Sequence, residues 1–125
     1  MKKESFSIQK RLKSFVFAGK GILTLIKEEH NAQIHLVISL LVLAAGFYLG
    51  LSNSEWMLIV FLIGFVFALE AINSAIENLA DFVSPNQHPL IGKVKDLAAG
   101  AVLIGAICSA IIGLLIFIPK LLLLV

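Results

Sequence analysis

Apolar residues dominate three long stretches of the chain and alternate with lysines in a fourth. Ile34 to Leu51 runs without a formal charge and is long enough to cross a hydrocarbon layer as a helix. Ser52-Asn53-Ser54 interrupts it as a tight polar turn, and Trp56 follows where an aromatic interface anchor is expected. From Trp56 the chain is apolar to Leu69, then continues at helical period through Glu70, Asn73, Ser74, Glu77 and Asp81. Ser84-Pro85-Asn86-Gln87-His88-Pro89 breaks that helix. A third span is expected from near Gly92 to about Ile118, with Pro119 marking its end or a kink. Upstream, Lys10, Lys13, Lys20 and Lys27 fall on one side of a helix, and Phe15, Ile22, Leu23 and Ile26 occupy the rest. That is the pattern of an amphipathic helix lying on a membrane surface; a wet lysine face packed on nothing in particular is the plainer alternative. The expectation is an all-α membrane protein of one domain, 1–125, with a surface helix over about 6–28 and spans over about 34–51, 56–81 and 93–118.

Small residues suggest where these helices touch. Gly46 and Gly50 form a G-x-x-x-G pair, and Ala101, Gly105, Ser109 and Gly113 recur every four residues, a stripe that lets another helix approach. Chance spacing of small residues is the alternative.

Composition agrees with a membrane assignment. Hydrophobic residues make up 59% of the 125, and mean hydropathy is +1.00. So small a globule cannot enclose that much apolar surface, so the remainder must face lipid or partner subunits. A net charge of +2 gives no sign of a nucleic-acid partner. Cys108 is the single cysteine, so no intramolecular disulfide can form, and its apolar surroundings suggest a small core residue. The N-terminus lacks the short apolar region and small-residue cleavage site of a secretory signal.

Charge placement orients the spans. Lys2, Lys3, Lys10, Arg11, Lys13, Lys20 and Lys27 precede the first span, Lys93 and Lys95 lie at the second connection, and the first connection has no lysine or arginine. The positive-inside bias then places the N-terminus and the 82–92 loop in the cytoplasm and the C-terminus, near Lys120, on the other side.

The second span carries the chemistry. With Glu70 at zero on a helical wheel, Asn73 falls at about −60°, Ser74 at about +40°, Glu77 at about −20° and Asp81 at about +20°, while Ile72, Ala75 and Leu79 lie opposite. Along an ideal helix Glu70 is about 21 Å and Glu77 about 31 Å from Trp56, against a hydrocarbon thickness of about 30 Å. Glu70 is therefore inside the bilayer near its cytoplasmic boundary, where a carboxylate needs partners. An early end to the span, with the stripe as its wet face, is the alternative. Glu28, Glu29, Lys95 and Asp96 reach the same layer. Clustered carboxylates suit Mg²⁺, a lysine suits phosphate, and together they are the parts of a phosphoryl-transfer site. No G-x-x-x-x-G-K-[ST], H-R-D or D-F-G signature of a soluble nucleotide enzyme is present. His30, His35 and His88 have no zinc spacing and read as polar boundary residues.

The run Glu70-Ala-Ile-Asn73-Ser74-Ala-Ile-Glu77-Asn-Leu-Ala-Asp81, followed by Gly92-Lys-Val-Lys95-Asp96, resembles the prokaryotic diacylglycerol kinase family, which includes undecaprenol kinases. The resemblance covers nearly the whole chain. It implies a homotrimeric lipid kinase of the bacterial inner membrane, with active sites between neighbouring subunits near the cytoplasmic surface. It further implies Glu70 as proton acceptor, and Glu29 and Glu77 as carboxylates holding the Mg²⁺ of Mg·ATP. Lys95, Asp96, Asn86, Gln87 and His88 match ATP-contacting positions, and Lys10 one that contacts ATP and substrate, with Arg11 as a neighbouring alternative. Asn73 and Ala99 join Lys10 and Glu70 on the substrate side. Phe17, at an ATP-contacting position, stands where some members have tyrosine, and Ala32-Gln33 replaces an aromatic-arginine pair. Ala99-Gly100 looks more like the undecaprenol kinase branch than the diacylglycerol one.

The expected function is ATP-dependent phosphorylation of a membrane lipid alcohol, either diacylglycerol or undecaprenol. The rival is a small oligomeric proton-coupled transporter using Glu70 as proton carrier; it has no evident use for the layer of Glu29, Glu77, Lys95 and Asp96. A structural membrane subunit is the plainest alternative.

Overall fold

The computed structural model describes residues 3–125; Lys2, one of the basic residues ahead of the first span, lies outside them. Four helices follow in order, α1 (Ile8–Glu28), α2 (His30–Leu49), α3 (Asn53–Val83) and α4 (Pro89–Leu122), with no strand among the described residues. The last three are long and apolar enough to cross a membrane.

The ends follow local chemistry. Ser7 caps α1 through its hydroxyl, which accepts from the Lys10 amide at 3.4 Å. Between Ile8 and Thr24, α1 is exposed along its whole length, and Leu25 is its buried residue. Its apolar side is left uncovered by the other described residues, as befits a helix lying on lipid. A single extended residue, Glu29 (φ −99°, ψ 113°), separates α1 from α2. Gln33 steadies the break by donating from Nε2 to the carbonyls of Ile26 (3.0 Å) and Lys27 (3.2 Å), which the end of α1 leaves without partners. The first span thus starts at His30 rather than Ile34.

Gly50, at φ 76°, terminates α2 in a conformation that favours glycine. Gly46 serves packing instead, since a Cβ there would meet the Trp56 ring at 2.8 Å and Leu51 at 2.9 Å. Trp56 also packs on Phe47, with ring centroids 4.8 Å apart. Ser52 and Glu55 form a reciprocal capping box at the start of α3. The span therefore starts three residues ahead of the expected Trp56, because capping belongs to the polar turn itself. At the far side of the 84–88 loop, His88 caps α4 and Pro89 occupies its first turn, where the missing N–H costs nothing. Pro119 does not end α4, which continues to Leu122.

The α3–α4 pair forms the body of the molecule. Gly105 lets the helices close, its missing side chain leaving room for Leu69 and Phe65. The rest of the small stripe does not act together: Ser109 and Gly113 are half-buried and Ala101 is exposed, because a four-residue repeat drifts around a 3.6-residue helix. Ion pairs tie the two helices at both ends, Lys120 to Glu55 at 3.1 Å and Lys95 to Asp81 at 2.5 Å. Glu55 to Asp81 spans about 39 Å of helix and Lys95 to Lys120 about 38 Å, so antiparallel helices bring both pairs together in one register. Cys108 is exposed rather than a core residue.

Candidate active site

On α3, Glu70 and Asn73 are buried while Ile72 and Leu79 are exposed, so the polar stripe faces inward. Glu70 retains only 2% of its surface. Ser74 and Glu77 are half-buried, and Asp81, one turn further on, is exposed. The gradient follows depth: the stripe climbs from the interior of the bundle to its wet end.

Three elements meet on this stripe. The break at Glu29 releases its side chain from both flanking helices and turns it onto α3, where the Ser74 hydroxyl donates to Oε1 at 2.7 Å. From α2, His35 Nε2 comes within 3.2 Å of Glu70 Oε1. The approach is within ion-pair range but off the line a hydrogen bond requires, and Oε1 has no hydrogen-bond donor. Asn73 Oδ1 is likewise buried without one. His35, Glu29 and Glu77 all lie within electrostatic reach of Glu70. On α4, Lys95 binds Asp81, with Glu77 also within its electrostatic reach.

The structure thus gathers Glu29, Glu70, Asn73, Glu77 and Lys95, and adds Ser74 and His35. Ser74 is visible on the wheel as part of the stripe. His35 reads in the sequence as a boundary residue, because one helix alone gives no sign of what a neighbouring helix presents to it. Other expected residues stand apart within one chain. Asp96 is one position from Lys95, a turn of about 100°, and faces away from the cluster into a shallow groove of about 610 Å³ lined also by Gly92, Lys93 and Gly100. Ala99 is exposed. Lys10 is exposed and pairs with Glu4 at 3.4 Å, about 27 Å along α1 from Glu28. Phe17 is exposed beneath the Lys20 ammonium, 5.8 Å from its ring centre. In the loop, Asn86, Gln87 and His88 are exposed; the Asn86 carbonyl accepts from Ser84, and His88 Nδ1 accepts from the Leu90 amide.

Below Glu70 an apolar groove of about 500 Å³ runs between α2, α3 and α4, from His35 and Val66 at its head to Phe117 at its foot. A buried carboxylate therefore stands at the junction of a long apolar groove and a layer of carboxylates with one ammonium. Among the described residues, no three His, Cys, Asp or Glu side chains form a metal cage. Glu29 and Glu77 are two carboxylates of the kind that would hold Mg²⁺.

The same chain pattern occurs in characterised proteins. Undecaprenol kinase from Bacillus subtilis (strain 168) is 50% identical over 109 residues, 87% of this chain and 89% of the relative. Diacylglycerol kinase from Helicobacter pylori (strain J99) is 34% identical over 104 residues, 82% of this chain and 81% of the relative. Diacylglycerol kinase from Synechocystis sp. (strain PCC 6803) is 33% identical over 112 residues, 89% of this chain but 64% of the relative. The model of the family described as prokaryotic diacylglycerol kinase matches residues 16–117, from the surface helix to the foot of the groove, and this chain belongs to that family.

Proposed function

We propose that this protein is an ATP-dependent lipid kinase of the inner membrane that phosphorylates the primary hydroxyl of a polyprenol such as undecaprenol. The observation that carries the reading is Glu70, 2% exposed, beside the head of an apolar groove and flanked by Glu29 and Glu77. The polyprenol acceptor is favoured over diacylglycerol by the 50% identity to an undecaprenol kinase, against 33–34% to diacylglycerol kinases.

The lipid chain lies in the groove and presents its hydroxyl to Glu70. Glu70 accepts the hydroxyl proton while the oxygen's electron pair forms the new bond to the γ-phosphorus. The bond to the β,γ-bridging oxygen breaks, and ADP leaves with that electron pair. Glu29 and Glu77 would hold Mg²⁺, which supplies neutralisation of the phosphate charge. Lys95 exchanges Asp81 for phosphate, and Asn73 orients the acceptor. Most of the rate gain comes from positioning and fixed electrostatics.

A second copy completes the site. Asp96 and the Asn86–His88 loop stand apart from Glu70 within one chain but lie at the end of the α3–α4 pair where Lys95 meets Asp81, so a neighbouring subunit in a homotrimer can offer them, and Lys10 of its α1 with them. The lysine distribution supports a cytoplasmic position for this end, where ATP is available.

The test presents purified protein with labelled ATP and either undecaprenol or diacylglycerol in the same bilayers, and resolves the products. The expected result is phosphorylation of both or of undecaprenol alone, with higher kcat/KM on undecaprenol. Preference for diacylglycerol would overturn the acceptor assignment, and no product from either lipid would overturn the kinase reading.

A further inference from the structure

His35 approaches Glu70 from another helix, and its sequence position gives it no chemistry. Its Nε2 lies 3.2 Å from Glu70 Oε1, with the two side chains 24% and 3% exposed. Three polar side chains line the groove: His35, Ser39 and Ser109. Both hydroxyls are engaged in their own helices, Ser39 donating to the His35 carbonyl at 2.6 Å and Ser109 to the Gly105 carbonyl at 2.8 Å. The imidazole is the donor left to serve a buried carboxylate there. Glu70 needs one, since a buried oxygen without a donor is costly and its Oε1 has none.

We propose that His35 is a positioning residue for Glu70: Nε2–H holds Oε1 and leaves the second oxygen turned to the lipid hydroxyl. The inference rests on the reading of Glu70 as base. At 3.2 Å the imidazole is within reach of Oε1 but off the hydrogen-bond line, and a small rotation of the ring brings Nε2–H onto it. His35 acts through Glu70 and leaves the nucleotide layer untouched.

The test uses the full chain in bilayers with Mg·ATP and undecaprenol, comparing wild type, His35→Ala, His35→Gln, Glu70→Gln and the double variant His35→Ala/Glu70→Gln. The expected result for His35→Ala is a kcat lower by about 10–100-fold, the scale of a misplaced reacting group. Its KM for ATP and its ATP affinity should stay unchanged, which also reports a folded protein. His35→Gln restores most of the turnover because its amide still donates. The double variant is no slower than Glu70→Gln alone, since both changes disable one device. Wild-type kcat in His35→Ala, or losses that multiply in the double variant, would overturn the positioning role. Full turnover by Glu70→Gln would instead overturn the base reading on which it rests.

Discussion

Ser74→Ala isolates the proposed nucleotide layer from the proposed base. The Ser74 hydroxyl on α3 donates to Glu29 Oε1 at 2.7 Å, and Glu29 occupies the one-residue break between α1 and α2, where no helix restrains its side chain. Removing the hydroxyl frees the carboxylate to rotate into water. Hydrogen bonds to charged groups contribute about 1.5–3 kcal/mol. Both residues are half-buried, so water replaces part of the loss and about 1–1.5 kcal/mol remains. At about 1.4 kcal/mol per tenfold, Mg·ATP affinity should weaken about 5–10-fold. Alanine is the better helix former, so local unfolding does not explain a loss. The assay titrates ATP at saturating lipid and free Mg²⁺. KM for ATP should rise by that factor with kcat nearly unchanged, and Ser74→Thr should retain wild-type behaviour. An unchanged KM, or a loss confined to kcat, would refute the claim that Ser74 holds Glu29 for the nucleotide.

Further outcomes are expected for topology, assembly and packing. Cysteines introduced at Asn86 and Ser54 in a Cys108→Ala background should label from opposite sides with a membrane-impermeant thiol reagent, position 86 from the cytoplasm; outside labelling there would put the nucleotide layer in the wrong compartment. Because Glu29 and Glu70 meet the same face of α3 within one chain, mixing Glu29→Gln with Glu70→Gln subunits should give no rescue. Mixing Asp96→Asn with Glu70→Gln should restore about a quarter of the sites if neighbours share them at random, read as lipid phosphorylation after confirmed subunit exchange. Gly46→Ala should destabilise the protein by about 1–3 kcal/mol, the usual effect of overpacking, since its Cβ would meet the rigid Trp56 ring at 2.8 Å; a thermal midpoint in detergent equal to that of wild type would contradict that packing.

The fold is legible in the sequence because lipid enforces it: long apolar runs must be helical, and polar turns must punctuate them. The ends are less so. His30, Asn31 and Gln33 read as connection, yet they are helical because the single extended residue at Glu29 is enough to redirect the chain. Pro119 reads as an end or a kink, and α4 runs past it to end about one turn later at Leu122. At the site, the 3.6-residue period places Glu70, Asn73, Ser74 and Glu77 on one face. It cannot supply His35, whose role depends on how α2 lies against α3. Lys95 and Asp96 read as a pair by adjacency in sequence, although adjacent helical residues point about 100° apart. Cys108 reads as an interior residue by analogy with water-soluble cores, whereas in lipid an apolar helix face is free to stay exposed.

ATP affinity and lipid phosphorylation, measured together on wild type and Glu70→Gln, test the central claim most directly. Glutamine keeps the size of the side chain but cannot take the hydroxyl proton, and the proposed Mg·ATP ligands Glu29, Glu77 and Lys95 are left in place. ATP affinity should be retained while turnover falls about 10²–10⁴-fold, the usual share of general base catalysis. Full turnover by Glu70→Gln would contradict the role of Glu70, and absence of ATP binding by the wild-type protein would contradict the kinase itself.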